Sequence, residues 1–298
     1  MSPPSRAFLQ IHFCVVLWGF TAILGKLITL PAVTLVWWRM VLVTGALLLI
    51  GRFWAGLRHL PRKLIWIYAG TGVIVALHWV TFYESVKLAN ASVAATCMGL
   101  TPVFVAFVEP WIARRKFDAR ELIFGLAVIP GVMLVVGGTP TGMRTGIAVG
   151  AVSSFLVAVF GSLNKRYIGD SDALSVTGIE MGAGAIAMTL LVPLIMAESQ
   201  AFVLPSQSDA MYLVLLAIGC TLLPFALSLV ALRQLSAFST ALAINMEPVY
   251  AIVLAILLLG EQRQLDPAFY LGVAIIVGVV FSHPLFVRRK PPPVAVPP

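Results

Sequence analysis

Glu247 stands before Pro248 inside an apolar run, with Asn245 and Tyr250 beside it. A carboxylate so placed can take up and release a proton, which suits exchange of a proton for a solute. Glu180 is a second group of the same kind. His78, Phe82 and Ser85 share one helical stripe, and Trp79 and Tyr83 share the adjacent one. Such a wall of rings with polar tips fits an amphipathic solute, for instance an amino acid with a large side chain. Two readings of the rings stand side by side. Trp79 and Tyr83 are either that wall or members of an interfacial aromatic belt, and His78 falls near mid-span, where a site is favoured over packing. Trp18, deep in the first apolar run, is a further candidate for lining a passage. So are Thr101, which precedes Pro102 as Glu247 precedes Pro248, and Ser154.

Arg39 is the hardest charge to dismiss. A charge at the bilayer centre costs at least about 2.5–3.5 kcal/mol on insertion scales, so it asks for a partner or a purpose. A structural ion pair with Glu84 or Glu180 is the favoured reading, ahead of contact with a substrate carboxylate. Lys26 is expected to snorkel to a membrane interface. Glu109 lies near enough to a membrane face to be solvated, and Asn90 in Asn90-Ala-Ser92 reads as a helix N-cap rather than a glycosylation site. Cys14, Cys97 and Cys220 are scattered through apolar runs with no ligand or disulfide spacing, so neither a metal site nor a disulfide framework is expected. The chain has no Walker-type phosphate loop, no metal-binding helix motif, no Gly-x-Ser-x-Gly elbow and no in-span aspartate pair. The expectation is therefore no cofactor, no metal and no catalytic residue.

The elements that must position these residues are membrane helices. The composition is 60% hydrophobic and 11% charged, against about 25% charged in an average soluble domain. A chain of 298 residues has no means of hiding that much apolar surface from water, so its partner is the lipid bilayer. Runs long enough to cross the hydrocarbon core, roughly 17–25 residues each, lie at 7–28, 32–51, 64–86, 91–113, 121–138, 145–167, 174–197, 209–232, 237–260 and 267–287. The first is read as a retained span rather than a cleaved signal peptide. The Pro-rich tail, 288–298, reads as disordered.

Lys and Arg collect in alternate loops. One side receives Arg6, Arg52, Arg58, Arg62, Lys63, Arg114, Arg115, Lys116, Arg120, Lys165, Arg166, Arg233, Arg288, Arg289 and Lys290. The other keeps Lys26, Lys87, Arg144 and Arg263. The net charge of +8 thus orients a membrane protein with both termini in the cytoplasm. It forms no basic face with interleaved aromatics, so no nucleic-acid partner is expected.

The sequence also repeats. Lys87-Leu-Ala-Asn-Ala91 and Pro102-Val-Phe104 return 146 residues later as Arg233-Gln-Leu-Ser-Ala237 and Pro248-Val-Tyr250. Gly125 and Gly131 recur as Gly272 and Gly278, one residue out of step. Five spans per half is an odd number, so the second copy enters from the opposite face. The expected fold is all-α and integral to the membrane, with ten transmembrane helices in two inverted five-helix repeats. Residues 1–138 form the first and 139–287 the second. Inverted repeats of this kind are the plan of secondary transporters. The equivalent prolines Pro102 and Pro248 each remove a backbone donor in mid-membrane, so they mark hinges or a site, or simply kink their helices. Gly146, Gly150, Ser154, Ala158 and Ser162 form a four-residue ladder, which reads first as a close helix contact. Gly178 and Gly182 read the same way.

Leu17-Trp-Gly19 with Lys26, the block Tyr83-Glu-Ser-Val-Lys-Leu-Ala-Asn-Ala-Ser-Val-Ala94, Pro102, Glu247-Pro248 and Gly260-Glu261 together resemble the drug/metabolite transporter superfamily in its ten-helix EamA branch. One departure is visible: where the second copy has Gly260-Glu261, the first has Arg114-Arg115. Within the family the chain is most similar to exporters of amino acids and related metabolites, including the YddG-type exporters of aromatic amino acids. The resemblance implies a multi-pass protein of a bacterial inner membrane, not an enzyme, that exports small amphipathic metabolites by alternating access. Its partners would be an amino-acid substrate and lipid, with a homodimer left open. A nucleotide-sugar or phosphorylated-metabolite antiporter would need more cavity cations than Arg39. A multidrug exporter of cations would use the glutamates. A structural membrane subunit or an integral-membrane enzyme is the reading outside transport.

Overall fold

The computed structural model describes residues 3–169, 171–195, 202–236, 240, 243–244 and 246–286. Everything regular among them is helix. Helices α1 (Pro3–Leu27), α2 (Ala32–Leu48), α3 (Gly51–His59) and α4 (Arg62–Leu88) open the chain. Helix α5 (Ala91–Cys97) continues through a 3-10 turn, Met98–Leu100, into α6 (Thr101–Ala113), followed by α7 (Ala119–Leu126) and α8 (Ile129–Gly137). The second half holds α9 (Arg144–Tyr167), α10 (Ala173–Ile195), and α11 (Gln207–Val214), which passes through a π-helical segment, Leu215–Leu222, into α12 (Leu223–Leu232). It ends with α13 (Glu247–Leu259) and α14 (Pro267–Phe286).

Seven helical stretches are long and apolar enough to cross a membrane, and α2 with α3, bent by 88°, makes an eighth. Two shorter apolar helices among the described residues are Glu247–Leu259 and Pro267–Val279. The expected span at 32–51 needs correction: it stops at Leu48, and the stretch taken as a basic loop is helix α3. The punctuation is local chemistry. Pro31 and Pro61 precede α2 and α4, and the Asn90 side chain accepts the Val93 N–H at 2.9 Å to cap α5. Ser206 caps α11 by accepting from Asp209 N at 3.1 Å.

Hydrogen bonds define the two ends of the bundle. At the end rich in Lys and Arg, Arg52 pairs with Asp172 at 2.9 Å, and Lys165 Nζ donates to Leu232 O at 2.7 Å. There too Tyr68 OH donates to Tyr167 O at 2.6 Å, and Arg166 and Arg233 donate to Ile112 O and Ser171 O. This is the basic face. At the opposite face Thr29 donates twice to Asp209, at 2.9 and 2.7 Å, and Lys87 Nζ donates to Ile28 O at 2.9 Å. Helix α1 begins at the basic face, where Ala7 and Ile11 pack with Ala231 and Leu235. Helix α9 begins at the opposite face, where Ser85 Oγ donates to Gly146 O at 2.7 Å. The first helices of the two halves therefore run in opposite directions.

Small residues bring the helices together. A Cβ on Gly131 would stand 2.7 Å from Gly272 O, so α8 and α14 touch backbone to backbone. Along α9, Gly146 meets Ala89 and Gly150 meets Cys97 and Ser85. Van der Waals contact of this kind replaces the hydrophobic drive that lipid removes.

One tie crosses between the halves with unusual completeness. Glu261, buried, accepts from Ala91 N at 3.0 Å, Ser92 N at 2.9 Å and Ser92 Oγ at 2.7 Å. A second-half carboxylate thus caps the start of a first-half helix and meets its positive dipole end. The position 146 residues earlier is Arg115, which lies in a different network and bridges Glu109 (3.0 Å) and Glu121. Glu109 is therefore buried and paired, not solvated as its position in the sequence suggests. Glu261→Gln is expected to cost about 1–3 kcal/mol and Arg115→Gln less, because the latter pair is partly exposed. Unfolding in detergent measures both, and equal losses would contradict the assignment of the cap.

Candidate functional site

A cavity lies between the two halves and is lined from both. Its lining follows the repeat. Trp18 on α1 and Asn164 on α9 both line it, as do Trp79 on α4 and Phe225 on α12, Phe82 and Ser228, and Thr101 and Glu247. The last three of these pairs are each separated by the 146 residues of the repeat. The cavity therefore lies where equivalent side chains of the two halves converge.

It occupies one end of the bundle. Helix α1 contributes nothing beyond Thr21, α4 nothing beyond Phe82, and α9 nothing before Val157. Helix α12 lines it down to Leu232, whose carbonyl is held by Lys165 at the basic face. Toward the opposite face the space is stopped by Tyr83 and by the ties around Asp209, Lys87 and Glu261.

The polar groups in the wall are few and buried. His78 Nδ1 lies 2.8 Å from Ser153 Oγ, which itself donates to His78 O at 3.0 Å. These bonds join α4 to α9 and fix the imidazole against Phe160, whose ring centroid is 5.4 Å away. Arg39, only 2% exposed, stacks its guanidinium 3.7 Å over the Trp79 ring. Its Nε donates to Thr221 Oγ1 at 2.6 Å and its Nη1 to Tyr83 OH at 2.8 Å. The expected ion pair with Glu84 or Glu180 does not form. Among the described residues the ion pairs are those of Arg52 and Arg115. Neutral oxygens and a π face hold the arginine instead. Thr101 Oγ1, Thr240 Oγ1 and Asn164 Oδ1 line or adjoin this space without a hydrogen-bond partner.

Of the residues singled out from sequence, Trp18, His78, Trp79, Phe82, Thr101 and Glu247 line the cavity together. Tyr83 does not. It is fully buried under Gly25 of α1, where a Cβ would come within 2.3 Å of its ring, and it serves as a partner of Arg39. Ser154 belongs to helix packing, its hydroxyl donating to Cys97 O at 2.5 Å, so it does not line the cavity as expected of a substrate-binding residue. Tyr250 packs its Cβ against Gly19 of α1, away from the lining. Asn245 lies outside the described residues. Glu180 is buried beside Asn164 of α9 and outside the cavity lining, and its backbone carbonyl presses on Gly72 of α4. Pro102 and Pro248 sit in the first turns of α6 and α13 rather than in helix interiors. The carbonyl that Pro102 would orphan, Met98 O, accepts Thr101 N–H through the 3-10 turn.

Phe160, Asn164, Phe225 and Ser228 are cavity residues that the pattern of single helices does not reveal. The signal for two of them lies in the sequence: adding the repeat offset to Trp79 and Phe82 points to Phe225 and Ser228.

A bundle of apolar helices in two oppositely directed halves, enclosing a partly polar cavity between them, defines a membrane carrier. Comparison with known proteins agrees. The model of the EamA-like transporter family matches residues 6–137 and again 144–282. The chain belongs to the EamA-like transporter family, within the drug/metabolite transporter superfamily, and is a multi-pass membrane transporter of small molecules. The family is one of transporters, not of enzymes. No curated protein matches the sequence. A protein of known crystal structure shares the fold with a TM-score of 0.68 at 17% identity, over 94% of this chain and 96% of that one.

Phe225→Ala, which removes a cavity ring, is expected to reduce flux at least about tenfold at equal membrane abundance, since loss of a buried aromatic contact is worth more than 1.4 kcal/mol. Ser154→Ala is expected to cost about 1 kcal/mol of stability with flux unchanged. Flux in reconstituted vesicles and unfolding in detergent separate the two, and the reverse pattern would return Ser154 to the site.

Proposed function

We propose that this protein exports amino acids, aromatic and other hydrophobic ones first, by alternating access across a bacterial inner membrane. In this reading ten spans form two inverted five-helix repeats, 1–138 and 139–287, with both termini in the cytoplasm. The observation that carries the proposal is the lining of the cavity. Trp18, Trp79, Phe82, Phe160 and Phe225 supply rings, while Arg39 and Glu247 supply one charge of each sign without pairing with each other. A zwitterion with an aromatic side chain matches that inventory. A phosphorylated metabolite does not, because Arg39 is the one cationic side chain in the described lining.

The proposed direction of transport is supported by the cavity reaching the basic face. If that face is cytoplasmic, as the charge bias indicates, the structure is open for loading from inside. Export then requires the ties of the opposite face to release while the basic face closes, with Pro102 and Pro248 as the places where the split helices rehinge. Glu247, in the cavity, is the first candidate to exchange a proton for substrate. Glu180 is the second, but it reaches the cavity only by way of Asn164.

Purified protein in liposomes is expected to show saturable counterflow of labelled tryptophan or phenylalanine, competed by each other but not by nucleotide sugars or cationic dyes. Competition by a nucleotide sugar alone, or saturable flux of dyes alone, would replace the reading. An imposed pH gradient is expected to alter flux in the native protein and to leave Glu247→Gln unaffected. A gradient response retained in Glu247→Gln would move coupling to Glu180.

A further inference from the structure

We infer that Arg39 is the anion anchor of the cavity, binding the carboxylate of the solute, and that Tyr83 and Thr221 are its positioning residues. The inference deepens the reading above and rests on the cavity being the substrate site, but not on which aromatic solute is carried.

Arg39 is a cation in mid-bundle that forms no ion pair among the described residues. Two of its three nitrogens are tied, Nε to Thr221 Oγ1 and Nη1 to Tyr83 OH. Nη2 has no hydrogen bond among the described residues, yet it is not one of the sealed polar atoms, and the side chain lines the cavity. The free edge of the guanidinium therefore faces the open space.

Both ties are built to hold that orientation without cancelling the charge. Thr221 lies in the π-helical segment and donates its own hydroxyl proton to Leu216 O, five residues back, at 2.6 Å. Its oxygen is thereby left as an acceptor aimed at Arg39. The π turn is what makes this geometry available, in keeping with the concentration of π-bulges at functional sites. Tyr83 is wedged under Gly25 and cannot swing away. The Trp79 ring backs the guanidinium plane, so its flat face is covered and its edge is presented. An arginine held by neutral oxygens and a ring keeps its full charge for an incoming anion. One free nitrogen suits a singly charged carboxylate better than a phosphate dianion. Glu247 lines the same space without touching Arg39 and leaves room for an ammonium group at the other end of the solute.

The test measures binding to purified protein in nanodiscs with four probes: tryptophan, indole-3-propionate (carboxylate without amine), tryptamine (amine without carboxylate) and benzoate. Arg39→Gln is expected to weaken the three carboxylates about 10- to 100-fold, the range for hydrogen bonds to charged groups, and to leave tryptamine unchanged. Arg39→Lys recovers part of the loss. Tyr83→Phe and Thr221→Val, which keep the packing, are expected to raise Kd for the carboxylates about three- to tenfold, again sparing tryptamine. A uniform loss across all four probes in Arg39→Gln and in Tyr83→Phe would make the arginine structural and overturn the proposal. So would a selective loss of tryptamine. Arg39-dependent binding of benzoate without binding of any indole probe would uphold the anchor while rejecting the aromatic amino-acid reading. Absence of binding by every carboxylate in the native protein would reject both.

Discussion

Helices in lipid gain nothing from burying apolar surface against one another, because the acyl chains are as apolar as leucine. What costs energy there is a polar group without a partner. The architecture follows from that asymmetry. Helix starts are capped by Asn90, Ser206 and Glu261, and glycines at Gly72, Gly131 and Gly146 admit neighbours to backbone contact. Even Met98 O, threatened by Pro102, is resupplied with a donor by a tightened turn.

One region stands apart from this background. Thr101, Thr240 and Asn164 carry unpartnered buried atoms and all three border the cavity, while others lie at Thr44, Ser162 and Tyr270. Arg39 and Glu247 stand in the same wall without forming an ion pair. Unpartnered polar atoms and two ionisable side chains in one wall leave an entering molecule groups to satisfy. Both halves contribute to the region. Residues equivalent by sequence offset line it together, and divergence between them, Thr101 against Glu247 or Phe82 against Ser228, gives it unlike sides.

Much of this was legible beforehand. The offset between Pro102 and Pro248 gave the two-repeat plan, and the stripe of His78, Trp79 and Phe82 gave one wall. Other features were hidden for physical reasons. In the sequence helix α3 has the look of a loop because Arg52 and Arg58 mark a polar segment, and amphipathic helices at a membrane face lack a long apolar run. Arg39 was assigned a carboxylate partner because isolated charge pairs are the usual solution. Here the guanidinium found a ring, a phenol and a threonine from three different helices, a combination no local pattern announces. Ser154 shared its helix with true lining residues, and only the neighbouring Cys97 carbonyl shows which way it turns.

The ends of α6 and α13 show how far the halves have parted. Gly260 and Arg114 occupy the same left-handed cap, at φ 66° and 53°, though for arginine that conformation costs roughly 1–2 kcal/mol. The residues that follow, Glu261 and Arg115, have opposite charge. A molecule assembled from two copies of the first half would set a guanidinium, in place of a carboxylate, near each positive helix start. Whatever common ancestor the repeats descend from, the division of labour between them has become irreversible, and neither copy can rebuild the whole.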